Sequence, residues 1–267
     1  MLLYDNQVYF EFSANGHRYT VSKLEGDRWS TPQPTTGITT ITAIINKEAL
    51  VYWSAKIAAY YMRDKLVEAK KSKAEVNLMA LAEEAKVAHN DEKNKSAGVG
   101  TVSHKMIESL LLGKKIVLPK KPKLKEAIEN VYAQHKAFER DFKPETIHVE
   151  TPLYSLKYDF AGTDDRFCVI NGKKIVIDYK TQNRSNYNPD GIYASNFAQL
   201  GGQAILIEEE LGETVDDAWI VNYAKDSREY RFRRLSDLNL TMLDAKIYFL
   251  NCLNLYRMNQ LFEWRVG

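Results

Sequence analysis

The stretch KIVIDYKT, residues 174–181, decides how the second half of the chain folds. Its β-branched apolar residues predict a buried strand. Because side chains alternate along a strand, Asp178 and Lys180 share one face with Val176, whereas Tyr179 lies on the other. A charge at the end of such a run costs roughly several kcal/mol unless it is paired, solvated or metal-bound. These residues alone are equally consistent with a salt bridge at a sheet rim and with a catalytic site.

The preceding strand supplies a second acid. Asn171 and Gly172 predict a hairpin turn, so residues 162–166, GTDDR, run antiparallel to KIVIDYKT. We therefore expect Asp165 to lie level with Asp178 and Lys180. Two carboxylates suit a hard divalent cation such as Mg²⁺. A neighbouring lysine can orient or deprotonate a water and offset charge on phosphorus, which indicates phosphodiester hydrolysis.

Bulk composition predicts a globular protein of 267 residues, of which 45% are hydrophobic. The formal net charge is only +2, so affinity for nucleic acid has to come from local patches. Cys168 and Cys252 have neither a disulfide nor an iron–sulfur spacing, which favours a reducing cytoplasm. The sequence shows no signal-peptide order and no apolar run near the roughly 18 to 20 residues that span a bilayer, so we expect no membrane association.

The order of elements predicts an α+β fold with a mixed central sheet flanked by helices. We expect a β meander over residues 1–35, a helical region over 36–144, and a β-β-β-α-β-β-α core over 145–267, together one compact domain. Within the helical region, the small residues at 96–100 predict a break between two helices.

Four motifs in this order resemble the PD-(D/E)XK nucleases of the RecB-like exonuclease branch. The array is also similar to the mitochondrial genome maintenance exonucleases and their phage-encoded relatives, over roughly residues 36–225. The motifs are GTVSH at 100–104, GTDD at 162–165, IDYKT at 177–181 and Gln199, with a T-x-x-T-x-I-I segment that begins at Thr39 and leads to a helix bearing Trp53.

The resemblance implies a restriction-endonuclease-like core and a metal-dependent deoxyribonuclease. Its implied catalytic residues are Asp165, Asp178, Lys180 and Gln199, and its implied ligands for Mg²⁺ or Mn²⁺ are His104, Asp165, Asp178 and the carbonyl of Tyr179. Lys180 would act on the attacking water, and Gln199 would contact substrate or position Lys180. A solvated or capping role for His104 stays open. Asp164 rivals Asp165, although the Gly-x-x-Asp spacing and the following arginine favour Asp165.

The chain departs from the family pattern in two places. Gln203 stands where family members often have tyrosine, which puts its role in doubt, and the preceding Gly201 and Gly202 weaken the helix or let another backbone approach. The four cysteines of cluster-binding relatives are missing, so we expect no iron–sulfur cluster. Glu150 is a further candidate acid, with a structural or surface role as its alternative.

Two surfaces are candidates for contact with DNA. Lys114, Lys115, Lys120, Lys121 and Lys123 form a basic run that could track phosphates or be merely solvated. Tyr52, Trp53, Tyr60 and Tyr61 could stack on unpaired bases, although core packing is expected for Trp53.

The expected activity is an exonuclease on single-stranded DNA or DNA ends, in phage or bacterial recombination, replication or repair. The expected partners are DNA and recombination or replication proteins. Three alternatives stay open: an endonuclease on the same core, a nucleic-acid-binding protein without turnover, and a rim ion-pair network in an unrelated α+β protein.

Overall fold

The computed structural model describes residues 1–13, 16, 18–45, 48–184 and 190–266. The chain forms two compact units, one of residues 1–45 with 103–267 and one of residues 46–102. Among the helices in these ranges, none combines the length and the hydropathy that crossing a membrane requires.

An antiparallel sheet occupies the first 35 residues, as the predicted β meander requires. Its strands are β1 (Leu2–Leu3), β2 (Val8–Ser13), β3 (Arg18–Glu25), β4 (Arg28–Trp29) and β5 (Gln33–Thr35), and β3 pairs with β2, β4 and β5. Alternate side chains point inward, so Phe10 and Tyr19 stack in a small core that also holds Tyr154 from a later strand. The sheet is therefore anchored to the rest of the larger unit.

Four helices follow: α1 (Ile38–Thr42), α2 (Glu48–Ser72), α3 (Leu78–Leu111) and α4 (Pro122–Phe142). The side chain of Asn77 accepts hydrogen bonds from the backbone of Met79 and Ala80, which caps the start of α3. Pro122 stands in the first turn of α4, where its missing N–H costs nothing.

The predicted break at residues 96–100 was wrong, because α3 continues through it. Neither Gly98 nor Gly100 adopts a positive φ. Each glycine costs the helix about 1 kcal/mol relative to alanine. Breaking the helix would instead expose about four N–H and four C=O groups at two new ends, which costs more unless they find other partners.

The central sheet has five strands in the order β10-β9-β8-β7-β6. They are β6 (Glu145–Ser155), β7 (Phe160–Ile170), β8 (Lys173–Gln182), β9 (Asp217–Ala224) and β10 (Arg231–Arg234). β8 and β9 are parallel and the other neighbours are antiparallel. Helix α5 (Ala194–Leu211) makes the crossover that a parallel pair needs, and α6 (Met242–Val266) ends the fold. The predicted α+β class with a mixed sheet is confirmed.

The β7–β8 hairpin turns where the sequence predicts. Asn171 has φ 51° and Gly172 has φ 76°, the two positive values that a two-residue type I′ turn requires. The turn fixes the register of the two strands, in which Arg166 pairs with Ile177.

Helices cover both faces of the sheet. On one face, Phe197 and Leu200 of α5 and Phe249 of α6 pack in the same core as Val176. On the other, Phe138 of α4 lies against Tyr179. Because Asp178 and Lys180 share the strand face of Val176, they lie on the α5 side of the sheet.

Helices α5 and α6 approach closely at the paired glycines. A Cβ atom on Gly201 would lie 2.1 Å from the backbone oxygen of Ala245, and one on Gly202 would lie 2.8 Å from the ring of Phe249. The glycines therefore allow another backbone to approach, which was one of the two expectations for them.

Both cysteines are buried and reduced, Cys168 in β7 and Cys252 in α6. Burial raises the pKa of the Cys168 thiol to about 12 and also raises the pKa of Cys252.

Candidate active site

Two carboxylates and a lysine meet near the end of β8. The Lys180 Nζ atom donates to Asp178 Oδ1 at 2.7 Å. On β7, Asp165 Oδ2 accepts the backbone N–H of Tyr179 at 2.7 Å, so Asp165 lies level with Asp178 and Lys180 as the hairpin register predicts. The structure brings the three predicted residues together, and their catalytic roles stay predictions.

Asp164, the alternative to Asp165 as the catalytic acid, contacts a residue outside this cluster. Its carboxylate is buried and lies 3.0 Å from His148 Nδ1. The next residue on the same strand face, Arg166, is also buried and pairs with Glu139 of α4. Side-chain alternation therefore leaves Asp165, and not Asp164, on the face of Lys180.

His104 reaches the same cluster from α3. Its Nδ1 atom lies 3.6 Å from Asp165 Oδ2. The negative charge of Asp165 raises the pKa of His104 to about 9, against the opposing effect of burial. Because His104 lies 26 residues after the helix begins at Leu78, a capping role does not fit.

Glu150 completes a group of ligand atoms at this position. Single nitrogen or oxygen atoms of His104, Glu150 and Asp165 all lie within 4.8 Å of one another. Glu150 lies in β6 with φ 47°, a left-handed conformation that costs a non-glycine residue about 1 to 3 kcal/mol. Burial, with the charge of Asp165, raises the pKa of Glu150 to about 8. Sequence reasoning offered Glu150 only as a further candidate acid, and no local pattern marks its backbone.

The two aspartates of the cluster have pKa values that shift in opposite directions. Burial raises the pKa of Asp178 despite the nearby Lys180. The pKa of Asp165 is lowered because His104 and Lys180 outweigh its burial. Although burial opposes the charge of Lys180, the two aspartates hold its pKa above the ordinary value.

The donor set fits a hard divalent cation. Asp178 Oδ2 is buried and has no hydrogen-bond partner within the described ranges. An orphaned carboxylate oxygen is costly, and a cation would satisfy it. Carboxylate oxygens with one imidazole suit Mg²⁺ or Mn²⁺, so His104, Glu150 and Asp165, whose ligand atoms lie together, fit such an ion. Asp178 is not part of that group, and its role as a ligand stays a prediction. The side chain of Tyr179 lies on the opposite face, where its hydroxyl accepts from Arg166, and a role for its carbonyl stays a prediction.

Gln199 of α5 connects Lys180 to a second element. Its Oε1 atom accepts from Lys180 Nζ at 3.4 Å, and its Nε2 atom donates to Thr42 Oγ1 at 3.3 Å. These contacts are consistent with a positioning role for Gln199, which the sequence offered as one of two roles.

Gln203 lies one turn further along α5. Its Nε2 atom donates to the Thr163 carbonyl at 3.0 Å, two residues before Asp165. Its Oε1 atom is buried without a partner among the described residues. Gln203 therefore contacts the strand that carries Asp165.

Tyr19 is a residue that sequence reasoning missed. Its hydroxyl lies 3.0 Å from Thr163 Oγ1, and Glu150 is close enough to contribute to the raised pKa of the phenol, which burial dominates. The N-terminal sheet therefore contacts β7 at Thr163, two residues before Asp165. Nothing in the local sequence around Tyr19 could have indicated this contact.

The basic run lies on the surface of the larger unit. The side chains of Lys114, Lys115, Lys120, Lys121 and Lys123 are all exposed. Exposure is compatible with phosphate contact and with simple solvation, so their binding role stays a prediction.

No protein-family model matches the sequence, and no curated protein matches it. Solved structures match part of the chain, among them the two that follow. A protein from Eubacterium rectale, named provisionally as an exonuclease, is 12% identical, with 63% of this chain and 67% of that chain covered and a TM-score of 0.42. LHK-Exo in complex with dAMP is 10% identical, with 62% and 86% covered and a TM-score of 0.28. At these TM-scores neither similarity identifies a function.

Proposed function

We propose that the protein is a metal-dependent nuclease that hydrolyses phosphodiester bonds. The observation that carries the proposal is the convergence of Asp165, Asp178 and Lys180. One buried carboxylate oxygen of Asp178 has no hydrogen-bond partner among the residues that the structure describes. A salt bridge at a sheet rim accounts for Lys180 and one oxygen of Asp178. It does not account for the second oxygen or for the strained Glu150 nearby.

The proposal divides these residues into metal ligands and groups that act on the water and the phosphate. Asp165, Asp178, Glu150 and His104 hold Mg²⁺ or Mn²⁺, which supplies positive charge to the phosphate when bound. Lys180 Nζ, which Asp178 and Gln199 hold in place, orients the attacking water and offsets charge on the phosphorus. The peptide of Tyr179 fixes Asp165 through its N–H.

Within this class we propose an exonuclease that acts on single-stranded DNA or DNA ends, in phage or bacterial recombination, replication or repair. This finer assignment is supported by the order of the four motifs at 100–104, 162–165, 177–181 and Gln199, which resembles that of the RecB-like exonucleases.

The test uses end-labelled linear single-stranded DNA and covalently closed circular single-stranded DNA, each with Mg²⁺, Mn²⁺ or EDTA. An exonuclease degrades the linear strand only, and only with a divalent cation. Cleavage of the circle would make the protein an endonuclease. No cleavage of either substrate would overturn the nuclease proposal.

Variants of the site make the assignment specific. Asp178→Asn and Lys180→Met should each lower the rate by at least about a hundredfold, as the loss of one group in a preorganised site does. Asp237→Asn, an exposed carboxylate near the end of β10, is the matched control and should keep the full rate. An Asp178→Asn protein that cuts as fast as the parent would show that the site lies elsewhere.

Metal binding has a readout that does not depend on cleavage. Mn²⁺ should raise the midpoint of thermal unfolding of the parent, because a ligand that binds only the folded state stabilises it. The shift should shrink in Asp165→Asn and Glu150→Gln. An unchanged midpoint in the parent would favour an ion-pair network without a metal.

A further inference from the structure

The exposed face of α2 carries alternating aromatic and basic side chains. Tyr52, Lys56, Tyr60 and Arg63 follow one another at helical spacings of four, four and three residues, so they share one side of the helix. All four are exposed, Tyr52 by 72% and Tyr60 by 44%. This set is called the tyrosine stripe below.

Contacts within the tyrosine stripe place two cations over the ring of Tyr60. The Lys56 ammonium lies 5.4 Å from the centre of the Tyr60 ring, and the Arg63 guanidinium lies 4.5 Å from it. Arg63 also pairs with Asp64 at 2.7 Å, an exposed contact of small energy. Tyr60 is therefore flanked by a cation on each side along the helix.

The other two aromatic residues of this helix have different surroundings. Trp53 packs edge-on against His89 of α3, and the Tyr61 hydroxyl donates to Glu84 of α3. Both side chains are half-buried. Of the four aromatic residues that the sequence offered for base stacking, the structure leaves Tyr52 and Tyr60 exposed, and Tyr60 has two cations over its ring.

We propose that the tyrosine stripe binds single-stranded nucleic acid. Exposed rings next to basic side chains match the two parts of a single strand, because bases stack on the rings and phosphates pair with the cations. Tyr52 and Tyr60 are eight residues apart, about 12 Å along the helix at 1.5 Å per residue. This distance is about three to four times the roughly 3.4 Å rise per nucleotide, so the two bases that stack on the rings do not stack on each other. A duplex keeps its bases inside and fits this surface less well.

The proposal rests on the proposed function and deepens it, because it assigns a single-stranded substrate to a particular surface. Its test is kept separate from cleavage. Binding of a fluorescent oligothymidylate is measured by anisotropy in EDTA, where no metal-dependent hydrolysis occurs. Tyr52→Ala and Tyr60→Ala should each weaken binding at least about fivefold, the effect of losing one stacked base. Tyr52→Trp and Tyr60→Trp should keep the parent affinity, since they keep a ring. Trp264→Ala, at an 82% exposed ring on α6, is the matched control and should also leave affinity unchanged.

Salt dependence tests the cations independently. For a single strand, each lost phosphate contact reduces the slope of log K against log salt by about 0.7. Lys56→Gln and Arg63→Gln should each show that reduction, with an unchanged thermal midpoint because both residues are exposed.

The outcomes separate the two proposals. Parent affinity in the doubly substituted Tyr52→Ala/Tyr60→Ala protein would overturn the tyrosine stripe, as would equal affinity for a duplex of the same length. If binding depends on the tyrosine rings but no metal-dependent cleavage occurs, the binding proposal stands and the nuclease proposal is refuted. If the protein cleaves DNA but binds it equally well without the tyrosine rings, the nuclease proposal stands and the binding proposal is refuted.

Discussion

The close approach of α5 and α6 predicts that replacing glycine with alanine stabilises the protein at one helical position and destabilises it at another. Gly98 lies in α3, and a Cβ atom there would meet no atom within 4 Å. Gly98→Ala should therefore raise the free energy of unfolding by about 1 kcal/mol, the helix propensity difference. Gly201 also lies inside a helix, so Gly201→Ala gains the same amount from propensity.

At Gly201, packing against α6 makes the net effect of the alanine substitution destabilising. The new Cβ atom would lie 2.1 Å from the Ala245 oxygen and 2.4 Å from the Ala245 carbonyl carbon, where ordinary contact begins at 3.4 Å. Since both are backbone atoms, α6 has to shift by more than 1 Å. Overpacking of this kind costs about 1 to 3 kcal/mol and occasionally more. At the upper end of that range, the net loss for Gly201→Ala is about 2 kcal/mol.

Urea unfolding followed by far-ultraviolet circular dichroism measures both substitutions under identical conditions. We expect the Gly98→Ala midpoint to rise and the Gly201→Ala midpoint to fall. Because α5 also carries Gln199, the Gly201→Ala protein should lose nuclease activity below its unfolding transition as well. An increase in stability at Gly201 equal to that at Gly98 would refute the close approach of the two helices.

Three further predictions concern groups around the site. Tyr19→Phe should lower the free energy of unfolding by about 1 kcal/mol, and a double-mutant cycle with Thr163→Val should show the coupling; additive losses would contradict the hydrogen bond. Gln199→Leu should lower the single-turnover rate about ten- to a hundredfold by releasing Lys180, and an unchanged rate would exclude positioning. Burial and a nearby arginine lower the pKa of His135 to about 3, so its contribution to stability is complete above pH 6.5 and is lost as the pH falls from there toward 3. The slope should be up to about 1.4 kcal/mol per pH unit in urea titrations and flatter in His135→Phe; equal slopes would contradict the shift.

Much of the candidate site could be predicted because its signals are local. Strand alternation alone puts Asp178 and Lys180 on one face, and the turn at Asn171 and Gly172 alone sets Asp165 level with them. Both depend on residues fewer than 20 positions apart. The same local rules gave the mixed sheet, because a helix between β8 and β9 predicts a parallel pair.

Other parts depend on contacts that no local pattern encodes. Glu150 reaches the site through a left-handed backbone conformation, which the sequence around it does not require. Tyr19 contacts Thr163 across 144 residues. The helix break at 96–100 was predicted from small residues, yet α3 keeps its regular hydrogen bonds through them. In each case the wider structure, and not the residue type, decides the outcome.

The two buried cysteines make the chain a convenient background for attaching a single fluorescent or spin label. Both cysteines are buried and the pKa of each thiol is raised, so both should react slowly with maleimides at pH 7. A thiol introduced by Lys70→Cys, at an exposed position on α2, would then react alone. A dye at that position could report the arrival of a strand in real time without any prior removal of native cysteines.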